Sequence, residues 1–203
     1  MSSEEPMPQA AGNPPLETRD RILEATWKLL GDQGDLNVRI ADIAAAAGVS
    51  RQAVYLHFGN RPNLLLAAVQ YRDRTSPTGA IARAVETDPL PDALRTFVEA
   101  WFAHIPRIQP VASLLSAASL SDAEARLAFE DRMALLRRLI GTLVRRLAEA
   151  DLLKPEWTRD QATDWIWHRT HIDGWRHLVE DRKWNAAEFG RRVAESLRRD
   201  LLR

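Results

Sequence analysis

The chain has 203 residues, of which 45% are hydrophobic, and its 28 basic residues balance 28 acidic ones to a formal net charge of zero. This length and apolar content allow a sizeable core, whereas the zero charge excludes a protein that binds nucleic acid through bulk positive charge. The absence of cysteine excludes disulfides, thiolate metal sites and cysteine nucleophiles. No apolar run reaches the roughly 18 residues of a membrane span, so we expect a cytoplasmic protein with no membrane contact.

The first part of the chain divides into a tail and a helix. Residues 1–16 combine Ser, Glu, Gly and Pro with little apolar content, which predicts a flexible tail. From near Thr18, apolar residues such as Ile22 and Leu29 recur at helical spacing. Gly31 and Gly34 are expected to end this first helix.

Two short helices are predicted next, separated by a glycine turn. Ile40, Ile43 and Ala47 form the apolar stripe of the second helix. Gly48 suits a left-handed helix end and Ser50 suits an N-cap, so a third helix should run to Phe58, with Val54 and Phe58 on its inner face. A fourth is expected from Pro62 to about Tyr71, and the short helix, glycine turn and short helix together predict a helix-turn-helix.

Longer amphipathic helices are predicted beyond residue 74, and no segment alternates as a strand does. Their expected ranges are 79–86, 91–104, 110–119, 122–150, 158–180 and 185–202. The fold class is therefore all-α with about nine to ten helices. We predict a tail over 1–16, a DNA-binding domain over 17–64 and a helical ligand-binding and dimerisation domain over 65–203.

The third helix has an unusual polar face without acidic residues. Arg51 and Gln52 stand at its N-terminal end, and these residue types suit guanine and adenine edges in the major groove. Ala53 and Leu56 could contact thymine methyl groups from the same helix. Taken singly, such residues are also common as solvated surface or half-buried packing.

Residues 18–65 resemble the TetR-type (tetracycline-repressor-type) transcriptional repressors. The resemblance rests on "RILEATWKLLGDQG" and "IADIAAAAGVSRQAVYLHFGNRPNLL", whereas the rest of the chain resembles the family in helix layout only. Three positions depart from the family pattern. Val38 replaces a capping threonine, Trp27 replaces a smaller residue and Arg61 replaces a lysine.

The resemblance implies a homodimeric, ligand-responsive repressor that binds a palindromic operator, although the same architecture can also activate. It implies that Tyr55 and His57 bind phosphates and that Arg39 and Arg61 add positive charge. The predicted DNA-binding residues are Arg39, Ser50, Arg51, Gln52, Ala53, Tyr55, Leu56, His57 and Arg61. A helical adaptor that acts through protein partners remains the alternative. The sequence contains neither HExxH nor GxSxG, so we predict neither an enzyme nor a cofactor.

The aromatic segment 158–180 is predicted to form the dimer interface, because the last two long helices dimerise in the family. Most of the predicted interface residues form one stripe at helical spacing. The predicted residues are Trp167, His171, Gly174, Trp175 and Leu178. Packing inside one subunit is the alternative. Asp164, His168 and His171 have a spacing that suits metal ligands, but one helix without other donors is a weak indication, and we predict no metal site.

A ligand pocket is predicted between the helices of the body. Apolar and aromatic residues with few polar groups are typical of such pockets, and the predicted lining is Phe97, Trp101, His104, Leu114, Leu115, Phe129 and Met133. Such residues also form ordinary cores. If they line a cavity, the effector is an apolar or aromatic small molecule.

Overall fold

Helices form wherever apolar residues recur at helical spacing in the computed structural model, which describes residues 17–34, 36–75, 79–90 and 92–203. The predicted tail, 1–16, lies outside these ranges. The first four helices are α1 (Thr18–Gln33), α2 (Ile40–Ala47), α3 (Arg51–Phe58) and α4 (Arg61–Thr75). Helix α1 ends at Gly34 as predicted, whereas Gly31 lies inside it. The all-α prediction is confirmed, since none of the described residues forms a β-strand.

The body contains α5 (Gly79–Glu86), α6 (Asp92–Ala118), α7 (Ala123–Glu149), α8 (Arg159–Arg169), α9 (Ile172–Trp175), a π-helical segment (Arg176–Asp181) and α10 (Ala186–Leu201). Asp122 caps α7, since its carboxylate accepts hydrogen bonds from the backbone of Glu124 and Ala125. None of the described helices combines the length and apolar character needed to cross a bilayer.

The predicted break between 104 and 110 is wrong, because α6 is continuous through Pro106 and Pro110. Both prolines are exposed, so their rings and missing N–H groups lie on the solvent side of the helix. On the inner face, Phe102, Ile105 and Val111 stay buried and hold the helix against its neighbours.

The predicted single helix over 158–180 is also wrong, because it breaks at Thr170 and His171. The Thr170 hydroxyl donates to the carbonyl of Ile166 at 2.8 Å, and His171 adopts extended backbone angles and caps the next helix through Nδ1. Side chains that bond to local backbone groups compete with helix continuation in this way. The chain then continues as the π-helical segment, which has more residues per turn than an α-helix. The residues that follow therefore do not lie on the sides that an unbroken α-helix would give them.

Buried residues form two clusters. The first joins α1–α4 and includes Val111 and Leu115 of α6 and Ala125 and Ala128 of α7. The second joins α5 to α10 around Phe97, Phe102 and Leu143, among others. The predicted domain boundary between residues 64 and 65 falls within α4, and the buried residues of this helix on both sides of it belong to the first cluster.

Two glycines provide a matched test of the backbone. Gly48 has φ +65° at the α2–α3 turn, so we expect Gly48→Ala to lower the free energy of unfolding by about 1–2 kcal/mol. Gly31 lies within α1, and a methyl group there would meet nothing within 4 Å. Gly31→Ala should therefore raise stability by about 0.5–1 kcal/mol. Urea unfolding measures both changes, and equal effects of the same sign would contradict this account of the turn.

Candidate nucleic-acid interface and cavity

Helix α3 is held rigidly on the first cluster by its turn, its cap and its inner face. Gly48 ends α2 in the left-handed conformation, and the Ser50 hydroxyl accepts a hydrogen bond from the Ala53 amide at 3.1 Å. Val54 and Phe58 are 1% and 7% exposed, and the guanidinium of Arg19 lies 5.3 Å from the Phe58 ring centroid. All of these local predictions about the turn and the inner face are confirmed.

The solvent-exposed side of α3 carries four polar side chains, from Arg51, Gln52, Tyr55 and His57. Within the described ranges, none of the four forms a side-chain hydrogen bond or ion pair with another residue. Leu56 is 85% exposed beside them, whereas Ala53 is half-buried. This face therefore offers donors, acceptors and an apolar group to a partner without breaking any internal bond.

Arg39 is exposed at the N-terminus of α2, but its charge is already paired. Its Nε lies 2.8 Å from Oδ2 of Asp42. The hydrogen bond from Arg39 holds the pKa of Asp42 below its ordinary value, so the carboxylate stays ionised at neutral pH. The pair leaves little net charge at this position.

Arg61, which was predicted to add positive charge to the DNA-facing surface, has two partners within the chain. Its guanidinium donates to the backbone carbonyl of Leu36 and lies 3.3 Å from the Glu124 carboxylate at the start of α7. These two contacts orient the side chain toward the loop before α2 and toward the body. Arg61 therefore links α4, the α1–α2 loop and α7.

A cavity of about 480 Å³ lies between α1, α4, α5, α6, α7 and α9. Five of the seven predicted pocket residues line it: Trp101, His104, Leu115, Phe129 and Met133. Phe97 and Leu114 are not part of its lining. Phe97 is fully buried in the second cluster, and Leu114 is half-buried and packs against the first, so these two side chains belong to the packed core.

Several lining residues were missed by sequence reasoning. Trp27 reaches the cavity from α1, Val69 and Gln70 reach it from α4, and Arg132 reaches it from α7. The size of Trp27 at a position that holds a smaller residue in similar proteins was the available indication. Arg132 lies three residues after Phe129 and directly before Met133, so helical spacing from these two residues could also have included it.

The predicted dimer residues do not form one surface, because the helix that was to align them breaks at residues 170–171. His171 lines the cavity, and Trp175 is only 4% exposed within the second cluster. Trp167 and Leu178 are half-buried against the same cluster, and only Gly174 is exposed. Trp175 is therefore core in this subunit, and the five residues do not make one continuous stripe.

The spacing of Asp164, His168 and His171 does not produce a metal site in the described part of the chain. Asp164 instead accepts a hydrogen bond from Arg137 at 2.8 Å. The rings of His168 and Trp165 are tilted relative to each other, with centroids 6.0 Å apart. His171 lies on the other side of the break, so the three groups do not converge.

Residues 22–68 match the family described as bacterial regulatory proteins, tetR family. The chain is similar to the HTH-type transcriptional regulator TtgR of Pseudomonas putida, with 37% identity over 78 residues, or 38% of this chain and 36% of that protein. It therefore spans about a third of the length of that relative.

Two solved structures are similar over most of the chain, at identities that support the fold alone. A TetR-family transcriptional regulator from Rhodococcus sp. has a TM-score of 0.73 and 18% identity, covering 89% of this chain and 96% of that one. A transcriptional regulator from Saccharomonospora viridis in complex with choline has a TM-score of 0.72 and 19% identity, covering 91% and 97%. Residues 22–68 are therefore similar to the tetR family of bacterial regulatory proteins, and the chain as a whole shares the fold of the TetR-family structures.

Proposed function

We propose that the protein is a sequence-specific, homodimeric transcriptional repressor that binds a palindromic operator in the bacterial cytoplasm and is released by a small, largely apolar effector. The observation that carries the proposal is the outer face of α3. Its polar side chains are exposed and lack acid, while its inner face is fixed by Val54, Phe58 and the Ser50 cap. Rigid, unpaired donors on a short helix are the geometry that a major groove requires.

Within this proposal, the two ends of the polar face have different tasks. Arg51 and Gln52 start α3, the end of a recognition helix that enters the groove, and they contact base edges. The exposed Leu56 side chain and Ala53 contact thymine methyl groups. These contacts remove apolar surface of Leu56 from water. Ser50 keeps its capping role and borders the same surface.

Phosphate contacts are assigned to Tyr55 and His57, which are exposed on the same helix. Phosphate contacts set the register of a helix in the groove without specifying sequence. Arg39 contributes only by giving up part of its bond to Asp42, so its share of the affinity is small. Arg61 is removed from the DNA-contacting set, because it is bound to Leu36 and Glu124.

Binding of duplex DNA at increasing salt tests the DNA-binding part of the proposal. Because each neutralised phosphate adds about −0.9 to the slope of log affinity against log salt, we expect a clearly negative slope. Tyr55→Phe should weaken binding to all sequences alike, because it removes a phosphate contact. A chain that fails to bind duplex DNA even at low salt would contradict the proposal and favour an adaptor that acts through protein partners.

We assign the dimer interface to the seam between the outer faces of α8 and α10. The rings of Trp157 and Trp165 lie half-buried in this seam, 6.1 Å apart, and their Nε1 atoms donate to the carbonyl and the carboxylate of Asp200. Half-buried tryptophans are common at the centres of protein interfaces. Sedimentation equilibrium at micromolar concentration should give twice the monomer mass, and a monomer would contradict the assignment.

Regulation by an effector is supported by the position of the cavity. Its lining includes Trp27 of α1 and Gln70 of α4, so a ligand there touches helices that pack directly against the DNA-facing part. The related structure that contains choline indicates that this fold can hold a small ligand. A ligand that binds better to the conformer with mis-spaced α3 helices lowers operator affinity by its differential binding energy, typically about 1–3 kcal/mol. Expression of a reporter behind the operator distinguishes repression from activation.

Arg61 provides a test of the link between the two parts. Arg61→Met removes a charged donor from Leu36 and from Glu124, and we expect the free energy of unfolding to fall by about 1 kcal/mol, since both ionic groups are partly exposed. Amide exchange at the α1–α2 loop should become faster. Arg95→Met is the control, because Arg95 is exposed and its ion pairs among the described residues are with Asp92 and Glu99 of the same helix. Equal effects of the two substitutions would contradict the bridging role.

A further inference from the structure

The cavity has a mostly apolar lining that includes a permanently charged side chain. Most of its lining is aliphatic or aromatic, with rings from Trp27, Trp101 and Phe129 on three different helices. Among the described lining residues, Arg132 is the one with a permanent charge, and none has a carboxylate. An apolar wall interrupted by a guanidinium favours an apolar ligand with an anionic group, because a guanidinium has only hydrogen-bond donors and bonds most strongly to an oxyanion.

Arg132 is held in place by its neighbour on α7. Its side chain is 16% exposed, and Nη2 donates to Oδ2 of Asp131. Partial burial acts to raise the pKa of Asp131, but the hydrogen bonds from Arg132 and Gln70 outweigh burial and hold this pKa below its ordinary value. Asp131 therefore stays ionised and orients the guanidinium, whose planar fork has five donors and can bind a second oxyanion while keeping this bond.

The same carboxylate connects this charge to α4. Nε2 of Gln70 lies 3.4 Å from Oδ2 of Asp131, the oxygen that also accepts from Arg132. An anion bound to Arg132 shares the guanidinium with Asp131 and so changes how strongly Asp131 holds Gln70. The ligand's charge thus acts on the helix that packs against the DNA-facing part.

We propose that the cavity selects an apolar, ring-bearing organic anion, a carboxylate or a sulfonate, and that Arg132 is the residue that binds its anionic group. His104 and His171 line the same cavity and add imidazole groups that can hydrogen-bond a polar substituent. The volume of about 480 Å³ lies within the range of small-molecule pockets. This inference rests on the proposed function only in treating the cavity as the effector site.

Two dyes with the same ring system and different charge test the assignment. 1-Anilinonaphthalene-8-sulfonate is an apolar anion, and N-phenyl-1-naphthylamine is the same frame without the sulfonate. We expect Arg132→Met to weaken binding of the sulfonate about tenfold or more and to leave the neutral dye within twofold. Arg132→Lys, which keeps the charge, should recover part of the sulfonate affinity. Arg126→Met, at an exposed position of α7, should change neither.

Further variants keep the test decisive. If Arg132→Met does not fold because Asp131 loses its partner, the double variant Asp131→Asn with Arg132→Met removes the stranded charge and should show the same loss. Ala112→Trp places a ring in the cavity and should weaken both dyes. The assignment is overturned if the two dyes respond equally to Arg132→Met, if neither binds the native protein, or if Ala112→Trp binds both undiminished. Failure to bind duplex DNA would overturn the proposed function while leaving the dye result intact.

Discussion

Simultaneous replacement of Arg51 and Gln52 by alanine should lower operator affinity at least a hundredfold. A good bidentate contact with a base contributes about 1–3 kcal/mol, each 1.4 kcal/mol is tenfold in affinity, and a dimer loses the contacts in both subunits. Both side chains are exposed on α3, and the Val54 and Phe58 packing beneath them is untouched. Mobility shifts on the specific operator and on a scrambled duplex measure the loss.

The matched control is Arg145→Ala, which removes an exposed arginine paired with Glu149 on α7. Affinity should stay within about twofold, because Arg145 lies outside the proposed interface. Base contacts also predict that the double variant binds specific and scrambled DNA with similar affinity, since discrimination is what it loses. If the double variant keeps the sequence preference of the native protein, α3 does not specify the bases.

The second large effect is expected at Phe102, which is 2% exposed and meets the Phe189 ring edge-on at a centroid distance of 4.8 Å. Phe102→Ala should lower the free energy of unfolding by about 3–5 kcal/mol, because it removes a fully packed ring and leaves a void. A Cβ built on Gly190 would lie 3.6 Å from the Cβ of Phe102, an ordinary contact distance, so α6 and α10 already pack closely at this point. Urea unfolding measures the change.

Phe129→Ala is the comparison, since the same ring type lines the cavity and is half-buried. A side chain that already borders open space loses fewer contacts, so we expect a cost clearly smaller than that of Phe102→Ala. Equal losses would mean that Phe129 is core and that the cavity is absent in solution. The pair therefore tests the distinction between core and pocket that the sequence leaves open.

Local patterns predicted the N-terminal part well because each residue there acts on its immediate neighbours. The turn depends on the backbone angle φ of Gly48, and the N-cap depends on the hydrogen bond that Ser50 accepts from the Ala53 amide. The spacing of Val54 and Phe58 sets the inner face of α3. In the body, two predictions about continuity were wrong in opposite directions. Pro106 and Pro110 did not break α6, because both face solvent, whereas Thr170 and His171 did break a helix through side-chain bonds to the backbone.

Which face a side chain occupies could be predicted, but which element it meets could not. Arg61 was expected on the DNA side, and its partners lie 25 and 63 positions away in the sequence, at Leu36 and Glu124. Trp27, Gln70 and Arg132 form one cavity wall only because α1, α4 and α7 converge. Helical periodicity contains no information about such distant pairs, so the cavity was predicted from its aromatic residues and missed its charged one.

Selection of bound sequences from a random duplex pool by the purified full chain tests the central claim most directly. We expect a palindromic consensus whose half-sites are related by two-fold symmetry and lie about one helical turn, or a multiple of it, apart. Substituting Arg51 alone should relax the base preference at one symmetric pair of positions. Recovery of no consensus, or of one that is unchanged by the Arg51 substitution, would contradict the claim that α3 of a symmetric dimer specifies the operator.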